Sequence, residues 1–320
     1  MAPTFLSLPR ELRVLIYEEL FSSYTVRHGL GKRSSDNTAI LRACHQIHEE
    51  AWRFLYLNAE FQFRGTEAML DMLMSVDQSI VTRIRYIRVK GFPFPLYGSR
   101  QSHYPIFYFN NALSLLPGLH LQRLVVEDSF HAFGLVDSWR DVVTYFDIEA
   151  LLKSDAWKEL LYITPNTDFI TSGYDHRCER VAQPENWDAL LKERDGEESG
   201  ADVRMFISPT VGIYDGSQDE SEPQPWSAKP GHEVLKNHRV AGPDQDLKGI
   251  VMIHARRGKN ANYVQTGLSE KRTWKELKES EDVLKREDWT PYYNDMADAA
   301  GWMYSGWGKR SMLAGRALGY

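Results

Sequence analysis

The sequence predicts an α/β protein with a mainly parallel sheet, on two observations. Short β-prone runs recur along the chain, each led in by a segment of helical periodicity, and three of those runs are evenly spaced. The runs are IRYIRV (84–89), LQRLVV (121–126) and KELLYI (158–163). The segments before them are TEAMLDMLM (66–74), IFYFNNALSLL (106–116) and FDIEALLKSD (146–155). Placing Ile87 over Leu124 and Leu161 gives two steps of 37 residues, and the same alignment stacks Ile84/Leu121/Lys158 and Val89/Val126/Ile163. Helix–strand alternation implies parallel strands joined by crossover helices. A fixed period implies units that each bury a face on the next.

The elements follow in order. Leu8, Leu12, Leu15, Ile16 and Leu20 recur at helical spacing, and Ser7 and Pro9 suit a helix start. Residues 22–37 lack periodicity and read as a loop. A second helix from about Thr38 places Ile40, Cys44, Ile47, Ala51 and Phe54 or Leu55 on one face and stops near Asn58. AEFQF (59–63) alternates as a strand, the three helix–strand units follow, and DVRMFIS (202–208) and KGIVMIHA (248–255) extend the sheet. Residues 215–231 read as a Pro-, Gly- and acid-rich surface loop. Residues 269–287 read as a solvated helix docked by Trp274, Leu277 and Leu284. The expected organisation is a helical region at 1–58, an α/β ligand-binding domain at 59–290 and a Gly/Trp-rich tail at 291–320. The period exceeds a standard leucine-rich repeat and no asparagine ladder is present, so the units are leucine-rich-repeat-like only loosely.

Composition narrows the function. The chain has 320 residues, 42% hydrophobic and 26% charged, which is ordinary globular usage. Its 38 basic and 44 acidic residues leave a net charge of −6, which disfavours nucleic acid and anionic membrane as partners. No uninterrupted apolar run is long enough to span a bilayer, and the first residues lack the charged and apolar blocks of a secretory signal. Cys44 and Cys178 are too few for a disulfide framework, so a reducing, cytoplasmic or nuclear setting is expected.

The run Leu8-Pro9-Arg10-Glu11-Leu12-Arg13-Val14-Leu15-Ile16-Tyr17-Glu18-Glu19-Leu20 resembles the first helix of an F-box. Ile40-Leu41-Arg42-Ala43-Cys44-His45-Gln46-Ile47-His48-Glu49-Glu50-Ala51 resembles the continuation found in fungal F-box-like proteins. Leu55-Tyr56-Leu57-Asn58 and Phe61-Gln62-Phe63 are similar to its ending. The resemblance covers about the first fifth of the chain. It implies a non-enzymatic substrate-recognition subunit of a Skp–cullin–F-box ubiquitin ligase, without cofactor. Leu8, Pro9, Leu12, Ile16 and Leu20 would meet a Skp-type adaptor, aided by Leu41, Cys44 and Ile47, and the later domain would capture an unknown protein substrate. Two features depart from the family. Residues 22–37 separate helices that an F-box joins closely, and Cys-Arg-x-Trp is replaced by Cys44-His45-Gln46-Ile47. The first alternative is a protein- or peptide-binding module with a purely structural N-terminal cap, and behind it an enzyme or nucleic-acid binder.

Other constellations are weaker. His45, His48 and Glu49 share a helix face but lack a third ligand. Arg83, Arg85, Arg88, Lys90 and Arg100 precede or interleave aromatics such as Phe92, Phe94 and Tyr97, a pattern that suits single-stranded nucleic acid or an acidic peptide. From that segment Arg85 and Arg88, with Trp157, are the candidate ligand contacts. Ala255-Arg256-Arg257-Gly258-Lys259 lacks the glycines of a phosphate loop, and acids such as Asp147 and Glu149 single out no catalytic site.

Overall fold

A computed structural model describes residues 4–30, 36–92, 94–95, 106–128, 140–164, 173–174, 180–181, 187–208, 232–233, 250–267 and 271–279. Helices α1 (Arg10–Ser22) and α2 (His45–Asn58) pack together near the start. Then come α3 (Thr66–Leu73), a single turn α4 (Gln78–Val81), α5 (Phe109–Ser114), α6 (Arg140–Lys153), α7 (Trp187–Asp195) and α8 (Trp274–Glu279). The strands are β1 (Thr25–His28), β2 (Glu60–Phe63), β3 (Tyr86–Phe92), β4 (Phe94–Pro95), β5 (Ile106–Phe107), β6 (Leu121–Asp128), β7 (Trp157–Thr164), β8 (Gly173–Tyr174), β9 (Arg180–Val181), β10 (Asp202–Ser208), β11 (His232–Glu233) and β12 (Ile250–Arg256).

Among the described residues one sheet runs β1-β2-β3-β6-β7-β12-β10-β11, seven strands of four to eight residues plus the two-residue edge β11. The first five are mutually parallel, and β12, β10 and β11 add antiparallel pairings. The mainly parallel α/β expectation therefore holds. The parallel strands are laid down in chain order, so crossovers of one hand put the intervening helices on one side. Phe61, Phe63, Ile87, Val89, Leu124, Val126, Leu160 and Tyr162 face that side and are buried against α2, α3, α5 and α6.

Several expectations are corrected. The segment read as a loop contains β1, which pairs with β2 through Val26↔Phe61. Residues 1–58 thus supply an edge strand, and Tyr17, Phe21, Tyr24, Ile47 and Ala51 join the same core as the sheet. The second helix does not run from Thr38. A 3-10 segment at Asp36–Arg42 ends first, and Cys44, with an extended backbone, precedes α2. Ser7 does not cap α1: its hydroxyl donates to the Thr4 carbonyl at 2.6 Å, and the Leu12 and Arg13 amides donate to the Pro9 carbonyl. The strand alignment holds at its first step, with Ile87↔Leu124 and Val89↔Val126. It fails at the second, where Leu124 meets Leu160 and Leu161 meets Val125. A one-residue slip turns every side chain over, so Leu160 and Tyr162 enter the core while Leu161 and Ile163 lie on the opposite face. Within 269–287, α8 buries Trp274 and Leu277 as expected. Leu284, Cys178, Arg100, residues 215–231 and the tail at 291–320 lie outside the described residues.

Candidate interaction surfaces

The inner face of α1 is set by Arg13, Tyr17 and Phe21, four residues apart and all buried. An arginine is tolerated there because Glu50 of α2 receives it as a fork: Nε donates to Oε2 at 2.9 Å and Nη2 to Oε1 at 2.7 Å. Arg13 Nη1 also donates to the Leu8 carbonyl at 2.5 Å, and the Tyr17 hydroxyl donates to Glu50 at 3.3 Å. The hydrogen bonds from Arg13 hold the Glu50 carboxyl down at about 2. The Tyr17 ring lies between Phe5 and Phe54, at 5.8 and 6.2 Å.

With that face turned inward, the leucine stripe turns outward. Leu12 is 47% exposed, Leu15 59%, Ile16 40% and Leu6, just before the helix, 40%. Leu12, Leu15 and Ile16 stand at helical neighbour spacing and make one patch; Leu8 is half-buried at its end and Pro9 is exposed. The other expected adaptor contacts divide. Leu20 and Leu41 are half-buried against the core, and Cys44 is exposed. Ile47 is sealed at 7% and cannot serve as a contact, because α2 buries the Ile47–Ala51–Phe54 face beneath α1. Leu6 and Leu15 are outward residues that the expected contact set omitted.

The second surface is the sheet face opposite the helices. Alternation along the strands puts three rows of side chains across it. The first runs Glu60, Tyr86, Arg123, Glu159, Arg256, Asp202, with charges alternating in sign. The second runs Arg27, Gln62, Arg88, Val125, Leu161, His254, Arg204 and contains no carboxylate. The third runs Lys90, Glu127, Ile163, Met252, Phe206, with Glu233 of β11 at the next register position; on this face Val125 and Met252 are buried. Arg88 donates to Glu127 at 2.6 Å, and Arg123 and His254 reach Glu159 at 2.6 and 2.8 Å. His254, then Arg123, hold the Glu159 carboxyl down at about 2. Burial raises Glu60 despite Arg88 and Arg123 nearby.

Of the three candidate ligand contacts only Arg88 lies on this face. Arg85 turns back on α4, donating through Nη1 to the Thr82 and Ile84 carbonyls at 2.8 and 2.9 Å, and burial lowers its pKa. It serves the carbonyls at the end of α4. Trp157 is fully buried, its indole N–H donating to Leu151 at 3.1 Å and its ring 5.7 Å from the Arg257 guanidinium. It is a core residue and does not reach a ligand surface. Arg257 is itself spoken for by Asp195 at 2.8 Å, whose carboxylate also accepts from the Gly258 amide at 2.7 Å. His48 faces the Leu41 carbonyl at 3.0 Å, and His45 and Glu49 stand 3.5 Å apart in solvent.

A buried polar cluster lies on the helix side at the ends of β6 and β7. Asp128 accepts from the Thr164 hydroxyl at 2.7 Å and the Thr144 hydroxyl at 3.4 Å. Asp147 of α6 accepts the Phe109 amide at 2.8 Å through one oxygen and lies beside Tyr162. Burial pushes its carboxyl up to about 8. The sequence did carry a signal: Thr144, Asp147, Ile148 and Leu151 form an i, i+3, i+4, i+7 stripe, which puts a carboxylate on the inward face.

No family model matches the chain, and no curated protein or solved structure matches it. No helix among the described residues is long and apolar enough to cross a membrane.

Proposed function

We propose that this chain is a non-enzymatic protein-recognition subunit whose α1 patch docks on the Skp-type adaptor of a cullin–RING ubiquitin ligase, while its repeat-like α/β body captures a substrate. The observation that carries the reading is the outward stripe of Leu12, Leu15 and Ile16 on a helix already fixed from behind by Arg13, Tyr17 and Phe21. Large aliphatic side chains are normally spent in a core, and a contiguous patch of them marks a contact with another polypeptide. The F-box resemblance falls on the same helix and supplies the identity of the partner. Burying such residues contributes roughly 1.5–3 kcal/mol each before ordering costs.

The test is co-purification of the full chain with a Skp adaptor. Leu12→Asp with Ile16→Asp should abolish capture while circular dichroism and thermal unfolding stay native. Capture that survives the double substitution, or no capture by the wild-type chain, removes the ligase reading.

A further inference from the structure

We infer that Glu18 and Glu19 select the protein that receives α1: its groove is apolar where it meets Leu12, Leu15 and Ile16, and it presents a lysine or arginine at the C-terminal end of the helix. This deepens the docking reading, on which it rests for calling that protein a Skp-type adaptor. The first support is position. Glu19 follows Leu12, Leu15 and Ile16 by seven, four and three residues, so it stands on their face, and it is exposed. Glu18, three residues after Leu15, is half-buried beside it. The apolar stripe therefore runs into two carboxylates at its C-terminal end.

The second support is that the fold makes no use of them. Among the described residues neither side chain is engaged in an ion pair or a hydrogen bond, and the Ser22 hydroxyl reaches only the Glu19 carbonyl, at 2.8 Å. Glu11 has a local reason to be acidic, since it lies in the first turn, where the helix dipole favours negative charge. Glu19 has none. It lies in the last turn, which holds no basic residue and where the dipole disfavours an acid. The other charges of α1 do not help: the Arg13 guanidinium is taken by Glu50 on the buried side. Arg10 falls on the same stripe as Arg13 and Tyr17. It precedes Glu18 and Glu19 by about 12–14 Å along the axis, beyond the range at which exposed charges couple in physiological salt. The third support is complementarity. Two carboxylates and the negative end of the helix converge on one place, where a partner's cation would steer α1 and fix its direction along the groove. The outward stripe holds no cation of its own, so a second copy docked through it would leave Glu19 unpaired.

The experiment measures the affinity of the full-length chain for a Skp adaptor at low and high salt. Glu18→Gln with Glu19→Gln should weaken it about fivefold or more at low salt, with the difference shrinking at high salt. Glu19→Lys should weaken it further. Both variants should keep native circular dichroism, and the Gln pair should melt no lower than the wild-type chain, since the charges it removes are unfavourable at that end of the helix. Unchanged adaptor affinity in the Gln pair, or tighter capture by Glu19→Lys, overturns the inference and leaves the ligase reading standing. If the wild-type chain captures no adaptor, the ligase reading falls and two fluorescein-labelled helical peptides decide. One has leucines at three- and four-residue spacing with lysines between them, and the other replaces each lysine by glutamate. Saturable binding of the basic peptide, lost with Leu12→Asp plus Ile16→Asp and weakened in the Gln pair, supports the inference. No binding, equal binding of the acidic peptide, or affinity unmoved by the Gln pair overturns it. A wild-type dimer in light scattering that Leu12→Asp with Ile16→Asp dissociates would assign the face to a second copy and likewise overturn it.

Discussion

Replacing Asp147 by Asn should change how stability depends on pH. The Asp147 carboxyl is fully buried, with the Phe109 amide on one oxygen and Tyr162 beside it, and burial lifts it to about 8. In the unfolded chain an aspartate titrates near about 3.9. The folded state therefore holds a proton that the unfolded state releases, and stability falls as pH rises from about 4 to about 8. At about 1.4 kcal/mol per pH unit, a span of about four units sets a ceiling of about 6 kcal/mol. That is a large part of the roughly 5–15 kcal/mol available to a domain. Asparagine keeps an oxygen for the Phe109 amide and has no charge to bury. Urea unfolding at pH 5, 6, 7 and 8 should show the wild-type chain losing stability by several kcal/mol, with Asp147→Asn nearly flat and the more stable of the two at pH 8. Glu50 and Glu159 are both held at about 2. Their contribution is present above about pH 4.5 and is lost only as pH falls towards 2, so it does not mask this slope. Parallel loss of stability in the two proteins from pH 5 to 8 would refute the reasoning.

Three further outcomes are expected. Leu12→Asp with Ile16→Asp should leave the unfolding midpoint close to wild type, whereas Tyr17→Ala or Phe21→Ala, on the buried side of the same helix, should each cost about 3–5 kcal/mol in chemical denaturation. Gly91→Ala would set a methyl 2.8 Å from Val126 Cγ1 and 2.9 Å from Phe109 Cδ2; overpacking of this kind costs about 1–3 kcal/mol and should lower the melting temperature. Glu159→Gln removes the carboxylate shared by Arg123 and His254. Thermal unfolding from pH 7 to 2.5 should then show a shallower acid decline than the wild-type chain.

The parallel core of the sheet was legible because β2, β3, β6 and β7 carry their apolar residues in short β-prone runs, with helical periodicity between them. The misses have local causes. In β1, Thr-Val-Arg-His offers one apolar side chain in four, so nothing in 22–37 distinguished a strand from a loop. At β7 the adjacent Leu160 and Leu161 make two registers equally apolar, and the even spacing favoured the wrong one. On α1, hydropathy ranks Leu12 and Ile16 above Arg13 and Tyr17. The arginine goes inside only because Glu50, 37 residues on, is there to receive it, and no local periodicity reports a partner at that distance. The stripe did single out residues that the fold leaves outward, Leu12 and Ile16 among them. Trp157 and Arg85 failed as surface residues because composition cannot tell an aromatic or a cation that faces out from one that packs in.

The place of β12 in the sheet bears on how the chain is made. Strands β2, β3, β6 and β7 each find a neighbour among residues already synthesised, but β10 pairs with β12 and β11, and among the described residues β12 alone joins it to β7. Until residue 256 has left the ribosome, β7 is a bare edge and β10 has no place beside it. A nascent chain stalled in that interval would offer an unpaired strand to its neighbours on the polysome, where chaperones have the most to do.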